Sequence, residues 1–160
     1  MTVHPDDIAG VTAWFDTLGA HVRDVDFVGA RPIFSPDMIA FGTFTDFMTG
    51  RDAAEQQQWR NVWPHIDEFR FRTDIRAIVS PDRLQAVGMG IFDSIGYRQD
   101  GGPYDRSGRA TIVFVRDRVG APWLAQQYAS LAVPRRPDAQ LQIEAGKALS
   151  TIVIRKEALP

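Results

Sequence analysis

The chain has no cysteine, which removes disulfides, thiolate metal sites and a cysteine nucleophile together. Histidine is scarce. His4, His21 and His65 are the only three, and none stands at a metal-ligand spacing from a carboxylate or another histidine, so neither a metal nor a cofactor is expected. Lysine is nearly absent as well: sixteen of the eighteen basic side chains are arginine, whose rigid donor fork suits planar carboxylates better than an ammonium does. Positive charge is not in excess, the formal net charge being −2, so there is no basic surplus to hold a phosphate backbone and nucleic acid is not an expected partner. Long apolar runs are missing too. The longest uncharged stretch, residues 119–134, is broken by Gly, Pro and Gln and is too short to cross a bilayer as a helix. The first ten residues lack a basic segment followed by an apolar one, so no secretory signal or membrane is expected, and a cytoplasmic protein is the default.

What is present fits one ordinary domain. A chain of 160 residues with 44% apolar and 24% charged side chains is typical of a soluble globular protein and can bury roughly 70% of its unfolded surface. Residues 5–20 read as a first helix: Ile8, Val11, Phe15, Leu18 and Val22 share a face beside Trp14, Pro5 and the acidic pair Asp6-Asp7 suit its start, and Gly19 marks its exit. Residues 25–30 suggest two helical turns and 31–37 a loop. Residues 38–47 read as a strand through Phe41, Phe44 and Phe47. A second long helix comes next, with Thr49 as candidate N-cap, an apolar stripe of Trp59, Val62, Trp63 and Ile66, and Pro64 at its end.

From Glu68 the period changes to two, with Phe69, Phe71, Thr73, Ile75, Ala77 and Val79 on one face. Residues 80–83 turn the chain into a strand over 84–97, where Gly88, Gly90 and Gly96 suggest bends in a strongly curved sheet. After a polar loop over 99–108, two β-type runs, 108–118 and 123–132, are joined by the Gly- and Pro-bearing connection Val119-Gly120-Ala121-Pro122, a hairpin signal. Both faces of this hairpin are apolar in the middle, so a covering is expected on each side. Helices succeeded by a run of antiparallel strands predict an α+β domain, a curved sheet around amphipathic helices enclosing an apolar interior.

Residues that interrupt apolar strands are the candidates for a site. Arg109 and Thr111 sit among apolar neighbours on the first strand of the hairpin, and Gln126, Gln127 and Tyr128 interrupt the second. A charge this close to an apolar strand needs either a carboxylate partner, such as Asp93 or Asp46, or the mouth of a pocket. Asp93, opposite Phe92, is either a buried acid with a raised pKa or an edge residue. Tyr128 is either an oxyanion donor or a tyrosine anchored to a carbonyl. Trp14 and Trp59 are either pocket wall or core.

Several segments together resemble a known superfamily: the Ala40-Phe41-Gly42 strand, the helix start Gly50-Arg51-Asp52-Ala53, Trp59-Arg60-x-x-Trp63-Pro64, Gly108-Arg109-Ala110-Thr111 ahead of an apolar strand, and Trp123 and Ser130 before Pro134. Over about residues 6–134 the chain is similar to the nuclear transport factor 2-like (NTF2-like) superfamily, in its SnoaL-like, ketosteroid-isomerase-like branch. The resemblance implies a cone-shaped fold with a pocket inside the cone. It also implies a carboxylate general base near Asp46, which otherwise solvates a strand end. Members of this branch often carry histidines on the last strand; here Leu124-Ala125-Gln126-Gln127-Tyr128-Ala129-Ser130 has none, so a catalytic version would need Asp46 or Asp93 as base with Tyr128 or Arg109 as partner. Trp14, Trp59, Arg109, Thr111 and Gln126 complete the expected ligand contacts. The expected ligand is a small apolar or carboxylate-bearing molecule.

Three functions are compatible with this reading: an isomerase or cyclase acting by proton transfer, a non-catalytic binding module, and an interaction or assembly domain with a vestigial pocket. A homodimer through the outer face of the sheet is expected from its two apolar faces. The chain divides at 134, and the apolar residues of the 135–160 extension, among them Leu141, Ile143 and Leu149, predict packing on the domain or its partner.

Overall fold

Residues 2–42 and 45–134 are described by the structure, a computed structural model. The expectations for the 135–160 extension and for Phe44 lie outside the described residues. Helix α1 spans Pro5–Asp24, one turn beyond Gly19. Its start is the expected one: Pro5 opens it, Asp6 and Asp7 occupy the first turn, and the His4 ring accepts from the Asp6 N–H at 3.2 Å. It runs on because Val22 is buried with Val11, Phe15 and Leu18, and packing outweighs the helix cost of one glycine, about 1 kcal/mol. Helix α2, Phe27–Ala30, is short, as expected, and a 3-10 turn over Arg31–Ile33 leads into the sheet.

The strand expected over 38–47 is two strands, β1 at Phe34–Phe41 and β2 at Phe47–Thr49, paired antiparallel. Thr49 therefore remains in β2, and Gly50 caps the next helix with φ of 89°, a left-handed value that glycine adopts without steric cost. That helix is irregular: α3 (Arg51–Ala54), a π-helical turn (Glu55–Trp59), α4 (Arg60–Val62) and a final 3-10 turn containing Pro64. The period-two run is likewise two strands, β3 (Asp67–Phe71) and β4 (Arg76–Val79). The long pair β5 (Gln85–Tyr97) and β6 (Pro103–Val115) comes next, then β7 (Leu124–Pro134).

The seven strands form one sheet in the order β2-β1-β7-β6-β5-β3, with β4 also paired to β5. Every pairing is antiparallel except β1 with β7. Along β5 and β6 the even-numbered residues form the inner, buried row, from Ala86 to Gly96 and from Gly108 to Phe114. In β7 a bulge intervenes: Val113 pairs with Gln127 but Phe114 pairs with Ala125, leaving Gln126 unmatched. No helix among the described residues is long and apolar enough to cross a membrane.

Two features fasten α1 to the sheet. At one end the buried Asp7 carboxylate accepts from Arg83 (Nε, 2.6 Å; Nη2, 3.1 Å) and from Arg116 (Nη2, 2.6 Å), and the Arg116 guanidinium lies 3.9 Å from the centre of the Trp123 ring. Along its length the helix crosses β5 closely. A Cβ on Gly88 would stand 2.7 Å from Phe114 and 2.9 Å from both Phe15 and Val11, side chains of packed elements that cannot all retreat. Gly88→Ala is therefore expected to cost about 1–3 kcal/mol, read as a lowered urea midpoint; an unchanged midpoint would contradict this close approach.

Candidate functional site

A cavity lies between α1, the irregular helix and the inner face of the sheet. Its helical wall is the stripe expected from the sequence, since Trp59, Val62, Trp63 and Ile66 all line it. Trp59 and Trp63 stack with ring centres 5.0 Å apart and planes 12° from parallel, and Phe34 of β1 lies 4.9 Å from Trp59. The π-helical turn that carries Trp59 is held by Glu55, which is buried and accepts from Arg31 and from Arg60 Nη2 at 2.7 Å. Desolvation by burial works to raise the Glu55 pKa, but the two arginines prevail and hold it below its ordinary value. Such turns frequently mark functional sites, and this one brings Gln58 as well as Trp59 to the cavity.

Apart from Gln58, the polar part of the lining comes from the sheet. Arg106 of β6 and Tyr128 and Ser130 of β7 all reach the cavity. Arg106 Nη1 donates to Ser94 Oγ at 3.3 Å, and the guanidinium lies 5.5 Å from the Phe92 ring centre. Among the described residues no carboxylate comes within ion-pair distance of Arg106. Burial pulls its pKa below the ordinary arginine value, although a guanidinium stays protonated in any protein setting. Burial likewise pushes the Tyr128 hydroxyl above the ordinary tyrosine range, against the opposing hydrogen bond with Ser130 and the charge of Arg106. At neutral pH Tyr128 is thus a neutral donor facing a cation. The cavity is small, about 40 Å³, room for water molecules. Met38 and Met48 are in its wall, and methionine is the side chain that repacks most readily.

Of the residues expected at a site, Trp59 and Tyr128 line this cavity and the others do not. Trp14 is buried in the core instead, its Nε1 donating to the Ile33 carbonyl at 2.8 Å and its ring against Phe15, Phe34 and Phe114. Asp46 is exposed in the connection between β1 and β2. Arg109 and Thr111 are exposed because odd-numbered residues of β6 face away from α1, and Gln126 is exposed at the bulge. Asp93 also lies on the outer row of β5. Among the described residues it accepts from Arg72, through Nε at 2.8 Å and Nη2 at 2.9 Å, and from Ser107 Oγ at 2.8 Å.

The cavity residues that the sequence reading missed are Arg106, Gln58 and Ser130. A signal for Arg106 exists: the buried row Phe114, Ile112, Ala110 and Gly108, continued by two residues, arrives at Arg106. Among the described residues no three His, Asp or Glu side chains come together as metal ligands.

No protein-family model matches the chain, and no curated protein matches it in sequence. Solved structures do. A ketosteroid isomerase-like protein from Erwinia carotovora atroseptica superposes with a TM-score of 0.69 at 10% identity, covering 82% of this chain and 100% of its own. An NTF2-like superfamily protein from Salmonella enterica serovar Typhimurium gives 0.65 at 13% identity, covering 84% and 95%. A candidate calcium/calmodulin dependent protein kinase II association domain from Xanthomonas campestris gives 0.64 at 21% identity, also covering 84% and 95%. A seven-stranded curved sheet folded around a long N-terminal helix, with these neighbours, is the cone-shaped α+β architecture of the NTF2-like, ketosteroid-isomerase-like proteins, and this chain has that fold.

Proposed function

We propose that the chain binds a small molecule in the cavity between α1, the irregular helix and the sheet. The observation that carries this reading is the convergence of Arg106, Tyr128, Ser130 and Gln58 on an otherwise apolar wall, the composition of a small-molecule site. A binding role is favoured over proton-transfer catalysis because, among the described residues, no carboxylate or histidine lines the cavity. Tyr128 could stabilise an oxyanion, but no base stands opposite it. Substituting Tyr128→Phe removes one hydroxyl from the wall without changing its shape. It is expected to weaken a bound ligand by about ten-fold, the worth of one buried hydrogen bond, as read by calorimetry after a thermal-shift screen of small apolar acids, amides and ketones. A screen in which no compound raises the melting temperature would end the binding reading.

The small volume of the cavity favours a second reading, an assembly domain whose pocket is vestigial. The two readings share an expectation about the outer face. There Ile78, Ile91 and Leu131, on three different strands, are exposed at 64%, 39% and 69%; Arg109 stands between Ile91 and Leu131 as the cross-strand partner of both, and the acidic residues Asp93 and Asp105 lie further along the same outer rows. A face that is apolar and carries both charges is suited to a two-fold contact with a second copy. Light scattering at micromolar concentration should give a dimer that Leu131→Asp splits, and a monomeric wild type would remove the idea.

A further inference from the structure

We infer that the ligand of this cavity is a monocarboxylate with a short apolar body, its carboxylate gripped by Arg106 and its body against Trp59 and Phe92. The inference rests on the binding role proposed above and narrows it to one chemical class. Arg31, Arg60, Arg72, Arg83 and Arg116 each bond a carboxylate of the chain itself. Arg106 is different. A guanidinium has five N–H donors, and among the described residues one of those on Arg106 is taken, by Ser94 Oγ. The rest are not sealed into the interior, because the buried unpartnered side-chain polar atoms are Arg51 Nε and Trp123 Nε1. A cation drawn into an apolar setting with an open donor fork calls for a counter-ion from outside.

The neighbours choose the kind of anion. Tyr128, Ser130 and Gln58 are neutral, so the site offers one positive charge, matching a monoanion. The flat fork matches a carboxylate in two-point contact. A dianionic phosphate would bring a second negative charge that nothing in the lining balances. The wall selects an apolar body, and because the cavity as it stands has room for water molecules, a short chain or a single ring enters by displacing Met38 and Met48.

Butyrate and benzoate, each against its amide of nearly the same shape, test this on the full chain. Each acid is expected to bind about ten-fold or more tightly than its amide, the share of a charge-assisted pair. Arg106→Met should abolish that preference while leaving amide binding in place, and Arg106→Gln serves equally if the methionine variant does not fold. Acid and amide binding alike in the wild type would overturn the carboxylate assignment and leave the cavity as a binding site. Inorganic phosphate binding more tightly than either acid would overturn the ligand class. If none of the four compounds binds, the binding role falls and this inference with it.

Discussion

Asp7→Ala is expected to lower the unfolding free energy by about 3–5 kcal/mol, the usual cost of removing one partner from a buried ion pair. The geometry explains why the cost is high. Asp7 and Arg116 have side-chain exposures of 1% and 4%, so without the carboxylate Arg116 keeps a buried charge with, among the described residues, the Trp123 ring and the Arg83 carbonyl for company. Arg83 is about one-third exposed and can turn to water, which places the expected loss toward the lower end. Urea titration should register a lower midpoint at unchanged slope, and a loss under about 1 kcal/mol would mean that the pair is not buried as described. Acid should act in the same direction. Arg83 first, and then Arg116, hold the Asp7 carboxyl below its ordinary value in spite of burial. As pH falls the unfolded chain takes up the proton first. The contribution of Asp7 is therefore complete above about pH 4 and is lost as pH drops through the lower, folded pKa. The alanine variant should lack this component of acid sensitivity.

Phe114→Ala is expected to cost a comparable 3–5 kcal/mol, by opening a cavity that its neighbours cannot close. Phe114 is fully buried, its ring 4.9 Å from Trp14 and 6.2 Å from Phe15 of α1 and 6.4 Å from Trp123. These are large rings on rigid elements, and they cannot collapse into the space. The same truncation on the outer row provides the contrast. Ile91→Ala removes a half-exposed side chain and should stay within about 0.5 kcal/mol in a monomer. Equal losses at Phe114 and Ile91 would contradict the assignment of inner and outer faces. A large loss at Ile91 that depends on protein concentration would instead point to the dimer.

How much could be read from the residues depends on the scale of the signal. Helical periodicity is redundant over several turns, so the stripe of Trp59, Val62, Trp63 and Ile66 was legible and does form one wall of the cavity. The fold class and the hairpin around Gly120 were legible for the same reason, each resting on many residues. The polar half of the cavity was not. Arg109 and Arg106 are three residues apart, and which of them enters the interior depends on where β6 begins and which face it buries. The polar, glycine-rich stretch 99–108 suggested a loop, yet β6 starts at Pro103 because residues 103–107 pair with β5 through Ser107↔Asp93 to Pro103↔Tyr97. Both faces of the hairpin are apolar in the middle, so composition could not choose between them. Asp46 was chosen through resemblance to proteins whose chemistry needs a base in that region, and here it is exposed.

The unmatched Gln126 works as a phase inverter. A strand knows only odd and even, and β7 changes from one to the other at that residue: Ala125 faces inward as an odd position, Tyr128 as an even one. The chemistry of the interior is therefore encoded partly by a count and not by the identity of any side chain. Deleting Gln126 would keep Ala125 opposite Phe114, Gln127 opposite Val113 and Tyr128 opposite Ile112, whereas drawing Gln126 into the ladder opposite Val113 would set Gln127 opposite Ile112 on the inner row and turn the phenol outward, with no residue of the sequence altered.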